Sequence, residues 1–164
     1  MLITNEQLNN YLLDTLNIVQ NYDTILHDVF LNLYNTGLRA NELLEFNRFT
    51  ALLSGNVTCT TEKGSNIREF TETELTFLFY TSIINSNNIY RGNSYSTCLR
   101  YFLRYRTFAD IFHNNKSLNL SLFRHNKCKL LHDAGQSDIE IQAYLGELDI
   151  RNSNNYIYSQ LTQL

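Results

Sequence analysis

The sequence predicts an α+β fold that is mainly α-helical and carries a small antiparallel β-sheet of two or three strands. In most of the chain, apolar residues recur every three or four positions, which is the helical period. Only residues 49–71 change to short β-prone segments separated by turn residues. The 164 residues are enough for one domain with a hydrophobic core, so we expect residues 1–164 to form a single domain.

The first two predicted helices have clear ends. Residues 4–7, Thr-Asn-Glu-Gln, are a capping box that begins helix one, and residues 21–23 interrupt it. A second helix runs to Thr36, and Gly37 suits a left-handed C-cap because it lacks a Cβ. Arg39 then lies at the start of a third helix. An arginine held between two helix ends is a rigid fork of donors, suited either to a phosphate or to a nearby partner such as Glu42.

Residues 57–60 and 67–71 are β-prone and enclose a turn over residues 62–66, which predicts a β-hairpin. Lys63 lies at or near its tip. Residues 49–53 are a candidate third strand. A lysine on such a turn is usually solvated, but it can also reach into a site and donate a proton.

The second half of the chain is predicted to be helical. Apolar spacing predicts helices over residues 72–84 and 95–112, and a third helix that Arg124 opens within residues 118–134, with Leu78, Leu130 and Leu131 among the buried side chains. Residues 85–94 are a polar loop. Gly135 is the expected C′ residue of the third of these helices, and residues 137–140 form a second capping box.

Positive charge is concentrated in one block. The net charge is −3, yet residues 91–129 hold eight basic side chains and one acidic side chain. A basic block in an acidic chain is either a solvated face or a one-faced polyanion site. We expect a DNA-backbone face, because arginines and aromatic residues recur together on the helix from residue 95. The candidate DNA-binding residues are Arg100, Arg104, Arg106, Lys127 and Lys129.

Composition excludes several other classes. No apolar run approaches 18 residues and no signal peptide begins the chain, so we expect no membrane partner. The cysteines, Cys59, Cys98 and Cys128, are odd in number and form no C-x-x-C motif. They therefore indicate neither a disulfide framework nor a zinc site, and an intracellular location is expected.

Four short motifs occur in order along the chain. T-G-L-R-x-x-E-L spans residues 36–43, S-L-F-R-H spans residues 121–125, and L-G-E spans residues 145–147. Tyr156 follows Gly146 by ten residues. Together these motifs resemble the catalytic domain of the tyrosine recombinases, the phage integrase family, over nearly the whole chain. Each motif alone is a weak signal, but four in the correct order are a strong one.

The resemblance implies a DNA recombinase that cleaves and rejoins strands through a 3′-phosphotyrosyl intermediate. Arg39 and Arg124 would bind the scissile phosphate, Tyr156 would be the nucleophile, and Lys63 would be the general acid. Tyr158 is a competing nucleophile, which the ungapped spacing disfavours. The family needs no metal or other cofactor and takes no small-molecule substrate. Its partners are double-stranded DNA and further copies of the chain, usually a tetramer.

Two positions depart from the family pattern. Ser121 replaces a histidine, and Glu147 replaces a histidine or tryptophan. Serine is a poor base, and a carboxylate repels a phosphate unless a cation such as Arg151 neutralises it. The family's N-terminal core-binding domain is also expected to be absent from this chain.

The alternatives are a catalytically impaired DNA-binding relative that acts as a binding or regulatory module, a type IB topoisomerase that uses the same groups, and an unrelated helical protein. If the protein is an unrelated helical protein, Arg39 and Arg124 are expected to lie apart.

Overall fold

The structure is a computed structural model that describes residues 4–62, 66–106 and 119–147. Within these ranges the chain forms seven α-helices, one 3₁₀ turn and a three-stranded antiparallel sheet. The predicted fold class is therefore confirmed. The helices are α1 (Asn5–Gln20), α2 (Thr24–Thr36), α3 (Ala40–Leu44), α4 (Phe77–Ile84), α5 (Tyr95–Tyr105), α6 (Ser121–Asp133) and α7 (Asp138–Leu145), and the strands are β1 (Phe49–Ala51), β2 (Val57–Thr60) and β3 (Ile67–Phe70).

The predicted helix caps are present. Thr4 and Gln7 form the capping box of α1, with the Gln7 backbone N–H donating to Thr4 Oγ1 at 3.1 Å. Ser137 and Glu140 form the equivalent box of α7. Gly37 ends α2 in the left-handed conformation, at a φ of 67°, and its N–H donates to the Leu33 carbonyl. These local signals fix where the chain turns toward Arg39.

The sheet has the order β1-β2-β3, and Cys59 in the central strand pairs with Phe49 on one side and Arg68 on the other. Phe49 packs edge-on against Phe79 of α4, at 5.0 Å between ring centroids. The third strand predicted over residues 49–53 is thus present. Residues 63–65, between β2 and β3 in the sequence, lie outside the described residues.

Aromatic side chains from three helices form the centre of the core. Phe30 of α2, Phe102 of α5 and Phe123 of α6 are fully buried, with ring centroids 5.5–5.9 Å apart. Tyr11 of α1 contacts Phe102 edge-on at 6.0 Å. This cluster holds α2 against α6, and these are the helices that lead to Arg39 and carry Arg124.

A buried polar network joins α2 to the segments on either side of α4. The Tyr90 hydroxyl donates to Asp28 Oδ2 at 2.5 Å, and Asn32 contacts both Tyr90 and Thr76. Burial and the Asp28 carboxylate raise the pKa of Tyr90 well above its usual value. Because every member is bonded, the network can lie in the core without an uncompensated polar group.

Three sequence predictions about helices are corrected. The helix expected from residue 72 begins at Phe77, because Thr76 caps it and Thr71 forms a separate turn with Glu74. The shorter helix leaves Leu78 42% exposed rather than buried. The helix that Arg124 was expected to open begins three residues earlier, at Ser121, and ends at Asp133.

The apolar residues of α6 also face in different directions from those predicted. Leu130 and Leu131 are only half-buried, because α6 directs Leu122, Phe123 and Cys128 into the core instead. Gly135 follows the C-cap residue Ala134, as predicted. In the part of the chain that the structure describes, no helix combines the length and hydrophobicity needed to cross a bilayer.

Candidate active site

Arg39 is positioned by the turn between α2 and α3. It is the N-cap residue of α3, and the carboxylate of Glu42, one turn later, accepts its backbone N–H at 2.8 Å. Glu42 Oε2 also accepts the backbone N–H of Glu62 at 2.8 Å, which ties this turn to the end of β2. Glu42 therefore links the backbone of Arg39 to that of Glu62, while the Arg39 side chain remains 17% exposed.

Arg124 reaches the same place from α6. Its side chain is only 1% exposed, and it enters the core beside the turn that carries Arg39. Nη1 donates to the carbonyl of Gly37 at 2.8 Å. The two arginines are 85 positions apart in sequence, and a helix and a turn bring them together. The expectation that they meet at one site is confirmed, and the unrelated-protein alternative loses its support.

Glu147 bridges the two arginines. Its Oε1 accepts Nη2 of Arg39 at 2.5 Å and Nη2 of Arg124 at 2.5 Å, and its side chain is 2% exposed. Burial alone would raise the pKa of this carboxyl, but the hydrogen bonds and charges of Arg124 and Arg39 outweigh burial and lower it. The charge we expected Arg151 to neutralise is therefore neutralised by the two arginines themselves. Arg151 lies outside the described residues.

Two further carboxylates approach Arg39. Glu42 Oε2 lies 3.7 Å from Nη1, and Glu62 Oε2 lies 4.0 Å from Nε. Glu42 is fully buried, whereas the Glu62 side chain is 38% exposed. The sequence left open whether Arg39 pairs with Glu42, and the structure shows this ion pair. In the part of the chain that the structure describes, three carboxylates therefore lie beside the two guanidinium groups.

Arg68 of β3 is a buried residue that sequence reasoning did not single out. Its guanidinium lies 4.7 Å from the ring centroids of both Phe70 and Tyr144, and Nη2 donates to the Thr36 carbonyl at 2.7 Å. Burial lowers its pKa to about 10, so it remains charged at neutral pH. Arg68 and Arg124 thus hold two successive carbonyls of the turn before Arg39. A charged residue at an inward-facing strand position was the signal available in the sequence.

A cleft of about 220 Å³ opens beside the arginine pair. Its walls include Arg39 and Asn41 from α3, Tyr95 from the start of α5, and Ser121 and Arg124 from α6. The Ser121 hydroxyl donates to the side-chain carbonyl of Asn119, two residues earlier. Ser121 therefore lies in the wall of the cleft, and its hydroxyl proton is engaged by Asn119.

The predicted basic face is only partly present. Arg100 and Arg104 are exposed on α5, where each lies over a tyrosine, and Arg106 is half-buried. Lys129, in contrast, is only 8% exposed, and Lys127 lies against the Tyr144 ring. Burial lowers the pKa of both lysines. The lysines of α6 therefore do not extend the exposed face of α5, because Lys127 packs against Tyr144 and the turn at Gly37, and Lys129 is buried.

Four predicted or considered site residues lie outside the described residues. They are Lys63, Arg151, Tyr156 and Tyr158. Their roles stay predictions from the motif pattern.

In residues 4–62, 66–106 and 119–147, no group of three or more histidine, cysteine or carboxylate side chains could hold a metal. The three cysteines are unbonded to each other and buried. Burial raises their pKa values, to about 12 for Cys59 and about 11 for Cys98 and Cys128, which makes them unreactive at neutral pH.

Comparison with known proteins gives structural matches alone: no family model and no curated protein matches the sequence. The pre-cleavage complex of XerH site-specific recombinase bound to difH substrate aligns with a TM-score of 0.63 at 20% identity, covering 96% of this chain and 50% of that chain. Its post-cleavage complex on palindromic difH aligns with a TM-score of 0.62 at 20% identity, covering 90% and 48%. The Tn1549 transposon integrase in complex with transposon right end DNA aligns with a TM-score of 0.59 at 17% identity, covering 97% and 61%.

The chain therefore has the fold of a tyrosine-recombinase catalytic domain. It spans about half the length of the XerH recombinase that it matches.

Proposed function

We propose that this protein is a DNA recombinase domain that cleaves and rejoins strands through a 3′-phosphotyrosyl intermediate. The observation that carries the proposal is the convergence of Arg39 and Arg124 on a single carboxylate oxygen. Two guanidinium groups that share one oxygen ligand are arranged to share the oxygens of a phosphodiester. The matched structures of the same fold are DNA complexes of one recombinase and one integrase.

The arginines would act mainly in the transition state. A phosphodiester carries one negative charge, and attack by a nucleophile increases the charge on its non-bridging oxygens. Donors that are fixed before the reaction stabilise that increase without reorganisation, and such terms are usually the largest in catalysis. Arg39 and Arg124 are fixed in this sense, because the Glu42 carboxylate holds one backbone and the Gly37 carbonyl holds the other side chain.

In the proposed reaction, the Tyr156 hydroxyl oxygen attacks phosphorus and gives up its proton to water while the bond from phosphorus to the 5′ oxygen breaks. Lys63 gives a proton to that leaving oxygen. The new phosphotyrosyl bond conserves the energy of the broken one, so a 5′-hydroxyl can reverse the step without ATP or a metal. The substrate would be double-stranded DNA inside the cell, bound by a tetramer of the chain.

A second candidate function is a DNA-binding relative that does not cut. Two observations favour it. Glu147 occupies the donors that a phosphate would need, and the Ser121 hydroxyl is bonded to Asn119 instead of facing a ligand. In this case the chain would bind DNA through Arg100 and Arg104 and regulate an active partner.

Covalent trapping separates the two candidates. The protein is incubated with labelled nicked duplexes, quenched with SDS, and analysed for a protein–DNA adduct beside Tyr156→Phe, Tyr158→Phe and Arg39→Ala. We expect an adduct that Tyr158→Phe retains and the other two variants lose. No adduct, together with salt-sensitive DNA binding, would favour the binding relative. An adduct lost only in Tyr158→Phe would assign the other tyrosine.

A further inference from the structure

The arginine pair is closed to ligands in this structure. Nη2 of Arg39 and Nη2 of Arg124 both donate to Glu147 Oε1, and Nη1 of Arg124 donates to the Gly37 carbonyl. Only 1% of the Arg124 side chain is exposed. A phosphate that enters the neighbouring cleft therefore cannot contact both guanidinium groups while Glu147 remains in place.

Charge leads to the same conclusion. Glu42, Glu62 and Glu147 all lie within 4.0 Å of Arg39, and among the described residues Arg124 and the neighbouring Arg68 add two more positive charges to the group. Among the described residues, the three carboxylates therefore cancel the three arginines, and the closed site has no net positive charge left to attract a phosphodiester. Glu42 is fully buried and bonded to two backbone N–H groups, and it cannot leave without disrupting the turn. Of the two carboxylates left, only Glu147 contacts both arginines.

The backbone at Glu147 is held independently of its side chain. Gly146 ends α7 in the left-handed conformation, at a φ of 71°, and its carbonyl accepts from Asn66 Nδ2 at 2.7 Å. The Glu147 N–H donates to the Gln142 carbonyl, and the Gln142 side chain donates back to the Glu147 carbonyl. Rotation about the side-chain bonds of Glu147 can therefore move the carboxylate while the main chain stays fixed.

We propose that Glu147 is an internal ligand of the two-arginine site, which a DNA phosphodiester must displace before Arg39 and Arg124 can bind it. The inference rests on the proposed function, and it adds regulation of that site by the chain's own carboxylate. The competing interpretation is that Glu147 aligns the two guanidinium groups for a ligand that binds elsewhere on them. The two interpretations predict opposite effects of removing the charge, because a competitor weakens binding and an aligning residue strengthens it.

The test is the affinity of wild type and Glu147→Gln for inorganic phosphate and for a short duplex DNA, measured by calorimetry. We expect Glu147→Gln to bind both ligands at least about tenfold more tightly. The reason is that Glu147 would leave the two arginines of the wild-type protein free for less than about a tenth of the time. Glu62→Gln is the matched control, since it removes the same charge beside Arg39 and leaves Glu147 in place. We expect it to gain clearly less affinity than Glu147→Gln.

Equal or weaker binding by Glu147→Gln would overturn the proposal, as would an equal gain in Glu62→Gln. Glu147→Asp is the second variant if Glu147→Gln does not fold. Its carboxylate is one methylene shorter and cannot reach both arginines without strain, so tighter phosphate binding is again expected and unchanged binding contradicts it. Phosphate affinity does not depend on strand cleavage. If no covalent adduct forms but Glu147→Gln still binds phosphate more tightly, the recombinase function is rejected and the proposal about Glu147 is not.

Discussion

Arg124 Nη1 donates to the carbonyl of Gly37 at 2.8 Å, although the two residues are 87 positions apart. The contact makes the end of α2 and the start of α3 depend on a side chain from α6. It also means that one arginine serves two purposes, since its other terminal nitrogen contacts Glu147. Arg124 is thus both part of the fold and part of the candidate phosphate site.

The first prediction concerns the stability of the Arg124–Glu147 pair. Arg124→Ala should lower the free energy of unfolding by about 3–5 kcal/mol, because it leaves a buried carboxylate with one fewer partner. The double variant Arg124→Ala/Glu147→Gln should lose less than the sum of the two single variants. Urea denaturation measures both values. Arg104→Ala on the exposed face is the control, and it should change the free energy by no more than about 0.5 kcal/mol. Strict additivity would contradict a direct Arg124–Glu147 interaction.

The second prediction is a pH dependence of stability. Arg124 and Arg39 hold the pKa of Glu147 below its ordinary value of 4.5. A carboxyl with a lowered pKa in the folded state contributes stability above its unfolded pKa, and this contribution is lost as the pH falls through the folded pKa. The free energy of unfolding should therefore fall on acidification from about pH 5. In Glu147→Gln the same titration should be flatter. An unchanged acid slope in this variant would show that other carboxyls account for it.

The third prediction concerns Gly37. A Cβ at this residue would lie 3.0 Å from Lys127 Cγ and 3.1 Å from its Cβ, and the φ of 67° is unfavourable for alanine. Gly37→Ala should therefore destabilise the fold by more than the roughly 1–2 kcal/mol that positive φ alone costs. Gly92→Ala is the matched control, with a φ of 92° and no atom within 4 Å of the added Cβ. Thermal unfolding compares the two variants, and equal losses would mean that the Lys127 contact is unimportant.

The fourth prediction separates the exposed arginines from the buried lysine. Arg100→Gln and Arg104→Gln should each weaken DNA binding and reduce the slope of log affinity against log salt by about one. Lys129→Gln should leave that slope unchanged, because Lys129 is almost fully buried. Fluorescence anisotropy at several salt concentrations measures all three. A reduced slope in Lys129→Gln would restore the sequence interpretation, in which α6 extends the DNA face.

Features encoded by neighbouring residues were predictable from the sequence. Thr4 with Gln7 and Ser137 with Glu140 form the expected capping boxes, and Gly37 adopts the left-handed cap. In each case the reason is local, because the side chain or the missing Cβ acts within one helical turn. The helix expected from residue 72 shows the limit of this reasoning. The apolar spacing continues through the segment, but the Thr76 side chain caps the helix, which therefore begins at Phe77.

The site was predictable only as far as its motifs extend. The motif pattern placed Arg39 and Arg124 at one site, and the structure brings them together. It did not predict that Glu147 would bridge them, because that contact depends on how α7 packs against α6 and on two side chains distant in sequence. Arg68 was missed for the same reason, since a strand arginine becomes a buried donor only when Tyr144 of α7 covers it.

The measurement that tests the central claim most directly is a crystal structure of Tyr156→Phe bound to a cognate or nicked duplex. The account predicts that oxygens of one phosphate lie within about 3.2 Å of terminal nitrogens of both Arg39 and Arg124, with the Glu147 carboxylate moved away. DNA bound along α5 while both arginines still contact Glu147 would contradict it.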